Sequence, residues 1–157
     1  MTSTRIYIAG HRGMVGSAIL RQLETRQAAG EAIEVVIWGT GTPRREFLHV
    51  DDMAEASLHV LDRPVADYQA HTQPMLSHIN VGTGEDISIL ELAERVAAVT
   101  GYEGRITTDP SRPDGTPRKL LDVSRLAAMG WSARIGLREG IEATYRWYLE
   151  NAAVRRE

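Results

Sequence analysis

The N-terminal stretch RIYIAGHRGMVGSAILRQLE, residues 5–24, joins a strand pattern to a helix pattern through a loop rich in glycine. The apolar run Ile6–Ala9 predicts a buried strand that stops at Gly10. After the loop, apolar residues recur every fourth position, at Val15, Ile19 and Leu23, which predicts a helix. A buried strand that leads directly into a helix is the basic unit of a parallel α/β sheet, so this stretch decides the fold class.

The loop itself has the spacing of a site for a dinucleotide phosphate. Gly10, Gly13 and Gly16 form G-x-x-G-x-x-G, where glycine lets the backbone turn tightly and approach a pyrophosphate. The helix start supplies unpaired N–H groups for the anion, and Arg12 could reach a 2′-phosphate and favour NADP over NAD. A glycine-rich turn without a ligand is the alternative, but the flanking strand and helix favour the dinucleotide interpretation. The predicted cofactor-binding residues are Gly10, His11, Arg12, Gly13, Met14, Val15 and Gly16.

Strand and helix patterns alternate along the rest of the chain. Further strands are predicted at Val35–Trp38, Arg45–Val50, His78–Gly82 and Arg105–Asp109. The alternation predicts an α/β fold with a partial Rossmann-type parallel sheet. We expect residues 1–30 to be the first strand, loop and helix of a dinucleotide-binding domain, and residues 31–157 to hold the remaining elements.

Capping residues mark the predicted helix starts. One helix is expected to begin at Asp51 or Asp52 as N-cap, and another at a capping box formed by Ser88 and Glu91. A short helix is expected to be capped by Asp122 or Ser124 and to close at Gly130. The final helix is predicted to have one apolar face, formed by Ile141, Tyr145, Tyr148 and Leu149.

Composition excludes several classes of function. With 18 basic and 21 acidic residues among 157, the net charge is −3 and no basic block stands out, which argues against nucleic acid or an anionic membrane as partner. There is no cysteine, so disulfides and thiolate metal sites are excluded, and we expect no metal. No run approaches the roughly 20 apolar residues of a membrane span. These features predict a cytoplasmic protein.

Two features that usually accompany such a loop, an acidic residue for the ribose and a catalytic Tyr/Lys pair, are missing from the sequence. The next strand ends in VVIWGTGTPRREF, residues 35–47, without the acidic residue that would bind the adenosine ribose. A short-chain reductase pairs a tyrosine proton donor with a lysine four residues later. None of the five tyrosines has lysine at that spacing, so we predict no catalytic residue.

Four stretches resemble the GDP-L-fucose synthase family of extended short-chain dehydrogenases/reductases. They are IAGHRGMVGSAI (8–19), VVIWGTGTPRREFLHVDDMAEASLHV (35–60), TQPMLSHINVGTGEDISILELA (72–93) and PDGTPRKLLDVSRLAAMGW (113–131). REFLHVDD and INVGTG are typical of nucleotide-sugar epimerases and dehydratases broadly. AGHRGMVGSA, WGTGTPRREF and PDGTPRKLLD select the narrower family.

The resemblance implies a fold, a reaction and a site. It implies an NADPH-dependent enzyme that epimerises GDP-4-keto-6-deoxy-mannose and reduces it to GDP-L-fucose, with a smaller C-terminal α/β part for the substrate and a homodimeric assembly. Residues 10–16 would hold the NADP(H) pyrophosphate. Residues at positions where the family contacts the GDP-sugar, or close to that surface, are Trp38, Arg45, Arg105 and Lys119. Without the resemblance, Trp38 could be a core residue, and each of the three basic residues an ordinary solvated charge.

The chain also departs from the family. The match passes from the first helix to a strand well past the middle of the family's chain, so roughly half of the expected length is absent. The absent part includes the Ser, Tyr and Lys of the reductase centre and the Cys and His used for epimerisation. One hypothesis is therefore a GDP-L-fucose synthase-like chain that is inactive alone. The other is a non-catalytic module that binds a GDP-sugar or pairs with a complete subunit.

Overall fold

The computed structural model of the chain describes residues 4–6 and 33–151. The predicted cofactor loop, residues 10–16, lies outside these ranges, so its role stays a prediction. Two compact units are present, a first unit of Met1–Pro43 and Ile89–Pro117 and a second unit of Arg44–Ser88 and Arg118–Glu157. The expected division near residue 30 also stays a prediction.

The described strands and helices follow one another along both units. The strands are β1 (Thr4–Ile6), β2 (Ile33–Trp38), β3 (Arg44–Glu46), β4 (Asp86–Ser88), β5 (Arg105–Asp109) and β6 (Arg118–Lys119). The helices are α1 (Val50–Leu61), α2 (Val65–Ala70), α3 (Ile89–Thr100), α4 (Ser124–Ala128) and α5 (Leu137–Asn151).

The first unit contains a parallel sheet with the order β1-β2-β5. β2 is the central strand, and its nearly continuous apolar sequence is typical of a strand in a parallel sheet. The parallel pairing of β1 with β2 confirms the expected α/β fold with a partial Rossmann-type sheet. The one acidic residue of β2, Glu34, is buried, and its carboxylate accepts a hydrogen bond from the Thr107 hydroxyl of β5 at 3.0 Å.

The second unit contains a mixed sheet with the order β4-β3-β6. The predicted strand Arg45–Val50 is observed only as the short β3. The prediction of a strand at His78–Gly82 is wrong, because these residues join no sheet and β4 forms farther along the chain. Ile79 and Val81 instead pack against the buried core. The apolar alternation of this segment therefore reflects side-chain packing without strand pairing.

The core of the second unit is small and lies beside α1 and α4. Ala56, Leu126 and Trp131 form its buried centre. Partly buried residues that surround them are Leu48, Val60, Ile79, Val81 and Ala133.

The prediction that Asp51 or Asp52 is the N-cap of α1 is wrong. His49 is the N-cap of α1, and its Nδ1 accepts a hydrogen bond from the Asp51 N–H at 3.2 Å. Asp52 lies buried in the first turn, where its Oδ2 accepts the N–H groups of Arg134 and Ile135 at 3.1 and 2.9 Å. Asp52 is the third residue of the helix and not its N-cap, and its carboxylate bonds instead to this second segment.

The last two helices differ from the predictions in the N-cap of α4 and in one residue of the apolar face of α5. Val123 is the N-cap of α4 without a side-chain hydrogen bond, while Asp122 closes a turn just before it by accepting the Ser124 N–H at 2.9 Å. On α5, Leu149 is exposed, unlike the other three residues of the predicted apolar face.

Candidate functional site

Arg45 and Lys119, two of the predicted substrate-binding residues, face the same side of the sheet in the second unit. They are direct partners in the parallel pairing of β3 with β6. Ile87 of β4 is the antiparallel partner of Arg45. Because cross-strand partners project to one side of a sheet, these three residues form a surface that we call the basic face. Arg45 is half-buried, and its Nη1 donates to the carbonyl of Arg44 at 2.7 Å, whereas Lys119 is exposed.

The neighbouring arginines, Arg44 and Arg118, project to the opposite side and share one carboxylate. Nε of Arg44 donates to Oδ1 of Asp86 at 2.7 Å, and Nε of Arg118 donates to Oδ2. The Asp86 side chain is only 4% exposed. Hydrogen bonds from Arg118 and then Arg44 hold the pKa of Asp86 below its ordinary value. Strand alternation therefore separates two arginines held by an acid from the pair on the basic face.

The Glu46 side chain connects the same sheet to two other segments through hydrogen bonds to their backbone N–H groups. Its Oε1 accepts the N–H groups of Thr83 and Gly84, each at 2.6 Å, and its Oε2 accepts the N–H of Leu121 at 3.1 Å. A Cβ at Gly82 would lie 2.4 Å from Oε1, so glycine is required there for the carboxylate to approach the backbone. Since Leu121 lies two residues after the end of β6, Glu46 helps to fix the strand that carries Lys119.

In the first unit, Trp38 ends β2 at the carboxyl edge of the parallel sheet. Its side chain is 55% exposed, so it is not the core residue that its apolar strand would allow. The guanidinium of Arg112 lies over the indole, 5.2 Å from the ring centroid. Arg105 lies at the opposite end of the strand pair, because it is the partner of Glu34 and Asp109 is the partner of Trp38. At about 3.3 Å a residue, Arg105 is separated from Trp38 by about 13 Å along the strands.

The turn after Trp38 is fixed by the segment that follows β5. The Gly39 N–H donates to the Asp109 carbonyl at 2.9 Å, and Gly39 has a φ of 84°. Thr40 donates to the Asp114 carboxylate twice, from its N–H at 2.8 Å and from its hydroxyl at 2.7 Å. A Cβ at Gly39 would lie 2.1 Å from Asp114 Oδ1, so both the backbone angle and the space require glycine.

Sequence reasoning missed four residues that shape these surfaces: Glu46, Asp86, Arg112 and Asp114. A signal existed for Arg112, because it follows a predicted parallel strand at the edge where α/β sheets bind ligands. The other three act through partners that are 32 to 75 positions away in sequence. No local pattern could have indicated them.

The described residues supply no reductase pair of the Tyr-x-x-x-Lys type. The tyrosines among them, at positions 68, 102, 145 and 148, lack a lysine four residues later. Burial raises the pKa of Tyr102, which is opposite to the change that a lysine partner would cause.

Residues 4–6 and 33–151 form neither a metal site nor a membrane span. Within these ranges, no three His, Asp or Glu side chains group in a way that could hold a metal ion. The helices in the same ranges are too short or too polar for a bilayer crossing.

Comparison with known proteins identifies the relatives of this chain. Residues 25–82 match the NAD dependent epimerase/dehydratase family. GDP-L-fucose synthase of Escherichia coli K12 is 57% identical over 134 residues, which are 85% of this chain and 41% of that protein. The resemblance to GDP-L-fucose synthase is confirmed. GDP-L-fucose synthase 1 of Arabidopsis thaliana is 48% identical over 88% of this chain and 40% of its own length.

Solved structures agree on the fold. A GDP-D-glycero-L-gluco-heptose synthase from Campylobacter jejuni, determined in the presence of NADPH, has a TM-score of 0.69 at 33% identity and matches 85% of this chain and 41% of its own. A GDP-L-fucose synthetase from Naegleria fowleri bound to NADP has a TM-score of 0.67 at 21% identity, over 86% and 40% of the two chains. The chain thus has the α/β fold of these enzymes and spans about two fifths of the length of its GDP-L-fucose synthase relatives.

Proposed function

We propose that this chain binds a GDP-sugar and that the basic face in the second unit receives the diphosphate. The observation that carries this proposal is the separation of charge across the sheet of β4, β3 and β6. One side holds two arginines and two carboxylates, Asp86 and Glu46, whereas the basic face holds two cations and one apolar residue. The resemblance to GDP-L-fucose synthase, whose name specifies a GDP-sugar, supports the ligand class.

The chemistry of the two cations suits a diphosphate. An arginine presents a planar fork that can donate two hydrogen bonds to one phosphate, and a lysine acts as a compact point charge beside it. Arg45 is half-buried, which limits the water that would weaken such a contact. Asp86 holds Arg44 and Arg118 on the other side, so those two cations do not compete for the ligand.

Calorimetry with GDP tests the basic face. We expect Arg45→Ala and Lys119→Ala each to weaken GDP binding by about tenfold or more, since a hydrogen bond to a charged group contributes about 1.5–3 kcal/mol. Arg138→Ala is the matched control, because Arg138 is an exposed cation of the same unit that pairs with Glu142 on α5. Absence of binding heat with the unaltered chain at millimolar GDP, or equal losses in all three variants, would refute the proposal.

The chain is further proposed to take NADP(H) without catalysing the reaction of its relatives. The loop at residues 10–16 and the NADP-bound structure of the N. fowleri enzyme support the cofactor. The lack of a Tyr-x-x-x-Lys pair and of any cysteine supports inactivity. With GDP-4-keto-6-deoxy-mannose and NADPH, we expect the absorbance of NADPH to fall no faster than in buffer. Turnover well above that rate, with an E. coli GDP-L-fucose synthase control running in parallel, would show that the chain has its own catalytic groups.

A further inference from the structure

We infer that Arg112 is a nucleotide-binding residue of the first unit, donating to a phosphate of a ligand whose ring system lies against Trp38. The inference takes its ligand class, a guanosine diphosphate, from the proposed function. It rests on contacts within the first unit alone and does not depend on the basic face.

Arg112 is held in place by two weak contacts that leave its donors available. Its guanidinium lies over Trp38 at 5.2 Å, and its Nε is 3.8 Å from Oδ2 of Asp109, which is too long for a hydrogen bond. Among the described residues, no side-chain hydrogen bond of Arg112 is formed, and the side chain is 54% exposed. A guanidinium has five N–H donors in a planar fork that matches phosphate oxygens.

The backbone beneath Arg112 is fixed by hydrogen bonds. The Arg112 N–H donates to the Asp109 carbonyl at 3.1 Å. Oδ1 of Asp109 accepts the N–H and the hydroxyl of Ser111 at 3.1 and 2.5 Å. Two residues beyond Arg112, Asp114 accepts both donors of Thr40. A loop that is already ordered loses less conformational entropy when a ligand binds, so such a guanidinium is well placed to contribute to affinity.

The position in the fold also points to a ligand. Trp38 and Asp109 are partners at the carboxyl ends of two adjacent parallel strands. Open α/β sheets bind their ligands outside these strand ends. An exposed indole offers a flat surface for a base or a sugar, and the adjacent cation offers donors for the phosphate that such a group carries. A stacked surface pair that serves only stability would need neither this location nor available donors.

Fluorescence of Trp38 gives a direct readout of this contact. In a Trp147→Phe background, Trp38 is the exposed tryptophan, since Trp131 is buried. Titration of the full chain with GDP should change the Trp38 signal, and Arg112→Ala should raise the dissociation constant by about tenfold to a hundredfold. Arg112→Lys should lose part of that affinity, because an ammonium keeps the charge but cannot stack flat. Arg95→Ala, an exposed cation on α3 of the same unit, is the control and should leave the titration unchanged.

Each outcome decides between the two proposals. If GDP does not bind the unaltered chain, both are overturned. If Arg45→Ala weakens binding while Arg112→Ala keeps the original affinity and Trp38 signal, only this inference is overturned. A thermal melt of each variant shows whether the fold is retained, and the lysine variant supplies the comparison if Arg112→Ala unfolds.

Discussion

Replacing Leu126 by alanine is expected to lower the free energy of unfolding of the second unit by about 2–5 kcal/mol. Leu126 is 1% exposed and clusters with Ala56 and Trp131, in a core where few other described residues are buried. Alanine would remove the transfer free energy of the buried methyl groups and leave a cavity that so small a core cannot fill without rearrangement. Because many domains are stable by only about 5–15 kcal/mol, this loss is large.

Urea unfolding followed by the fluorescence of Trp131 measures this effect, with Trp38 and Trp147 replaced by phenylalanine. Leu61→Ala is the matched control, because Leu61 is 77% exposed at the end of α1 and its truncation removes little buried surface. We expect the Leu126 variant to have a clearly lower unfolding midpoint and the Leu61 variant to unfold with the unaltered chain. Equal midpoints for the two variants would show that Leu126 does not hold this core together.

The parallel sheet of the first unit was the part that the sequence predicted best. Val35–Trp38 is nearly continuous in apolar residues, which is typical of a strand in a parallel sheet, and β2 indeed pairs in parallel with β1 and β5. Arg105–Asp109 was predicted as a strand and is one. In these cases the local pattern and the long-range pairing favour the same structure.

The second unit was predicted less well because its structure depends on contacts between distant residues. The segment at residues 78–82 alternates like a strand, but it is held by side-chain hydrogen bonds: Nη1 of Arg125 donates to the His78 carbonyl, and Nδ2 of Asn80 donates to the Asp122 carbonyl. His49 is the helix cap instead of either aspartate, and the Asp52 carboxylate bonds to residues 82 and 83 positions away. A pattern read over ten or fifteen residues contains no information about such partners.

At the candidate site, too, the sequence selects the basic residues but does not show which partners they have. The family resemblance selected Arg45 and Lys119, and the structure places them opposite each other. The resemblance could not show that their sequence neighbours Arg44 and Arg118 share the buried Asp86. That contact depends on the register of three strands from three parts of the chain. The register thus distinguishes two pairs of cations that look alike in sequence.

Replacing Glu46 by alanine is expected to lower the free energy of unfolding by on the order of 3 kcal/mol, since a hydrogen bond to a charged group contributes about 1.5–3 kcal/mol and bonds to one carboxylate do not add fully. The carboxylate accepts N–H groups from Thr83, Gly84 and Leu121, which belong to two separate segments of the chain. Its loss should also loosen β6. GDP affinity should therefore fall in the Glu46 variant, although Glu46 lies on the side of the sheet opposite the basic face.

The comparison with Glu46→Gln separates charge from shape. Glutamine keeps the length and one acceptor oxygen, but its NH₂ group would point at an N–H donor that the carboxylate now accepts. We expect its stability to lie between those of the alanine variant and the unaltered chain. Glu142→Ala is the control, because Glu142 forms an exposed i,i+4 pair with Arg138, and exposed pairs of this kind contribute little to stability. If Glu46→Ala unfolds at the same urea concentration as Glu142→Ala, the three backbone hydrogen bonds do not stabilise the sheet, and another contact must position Lys119.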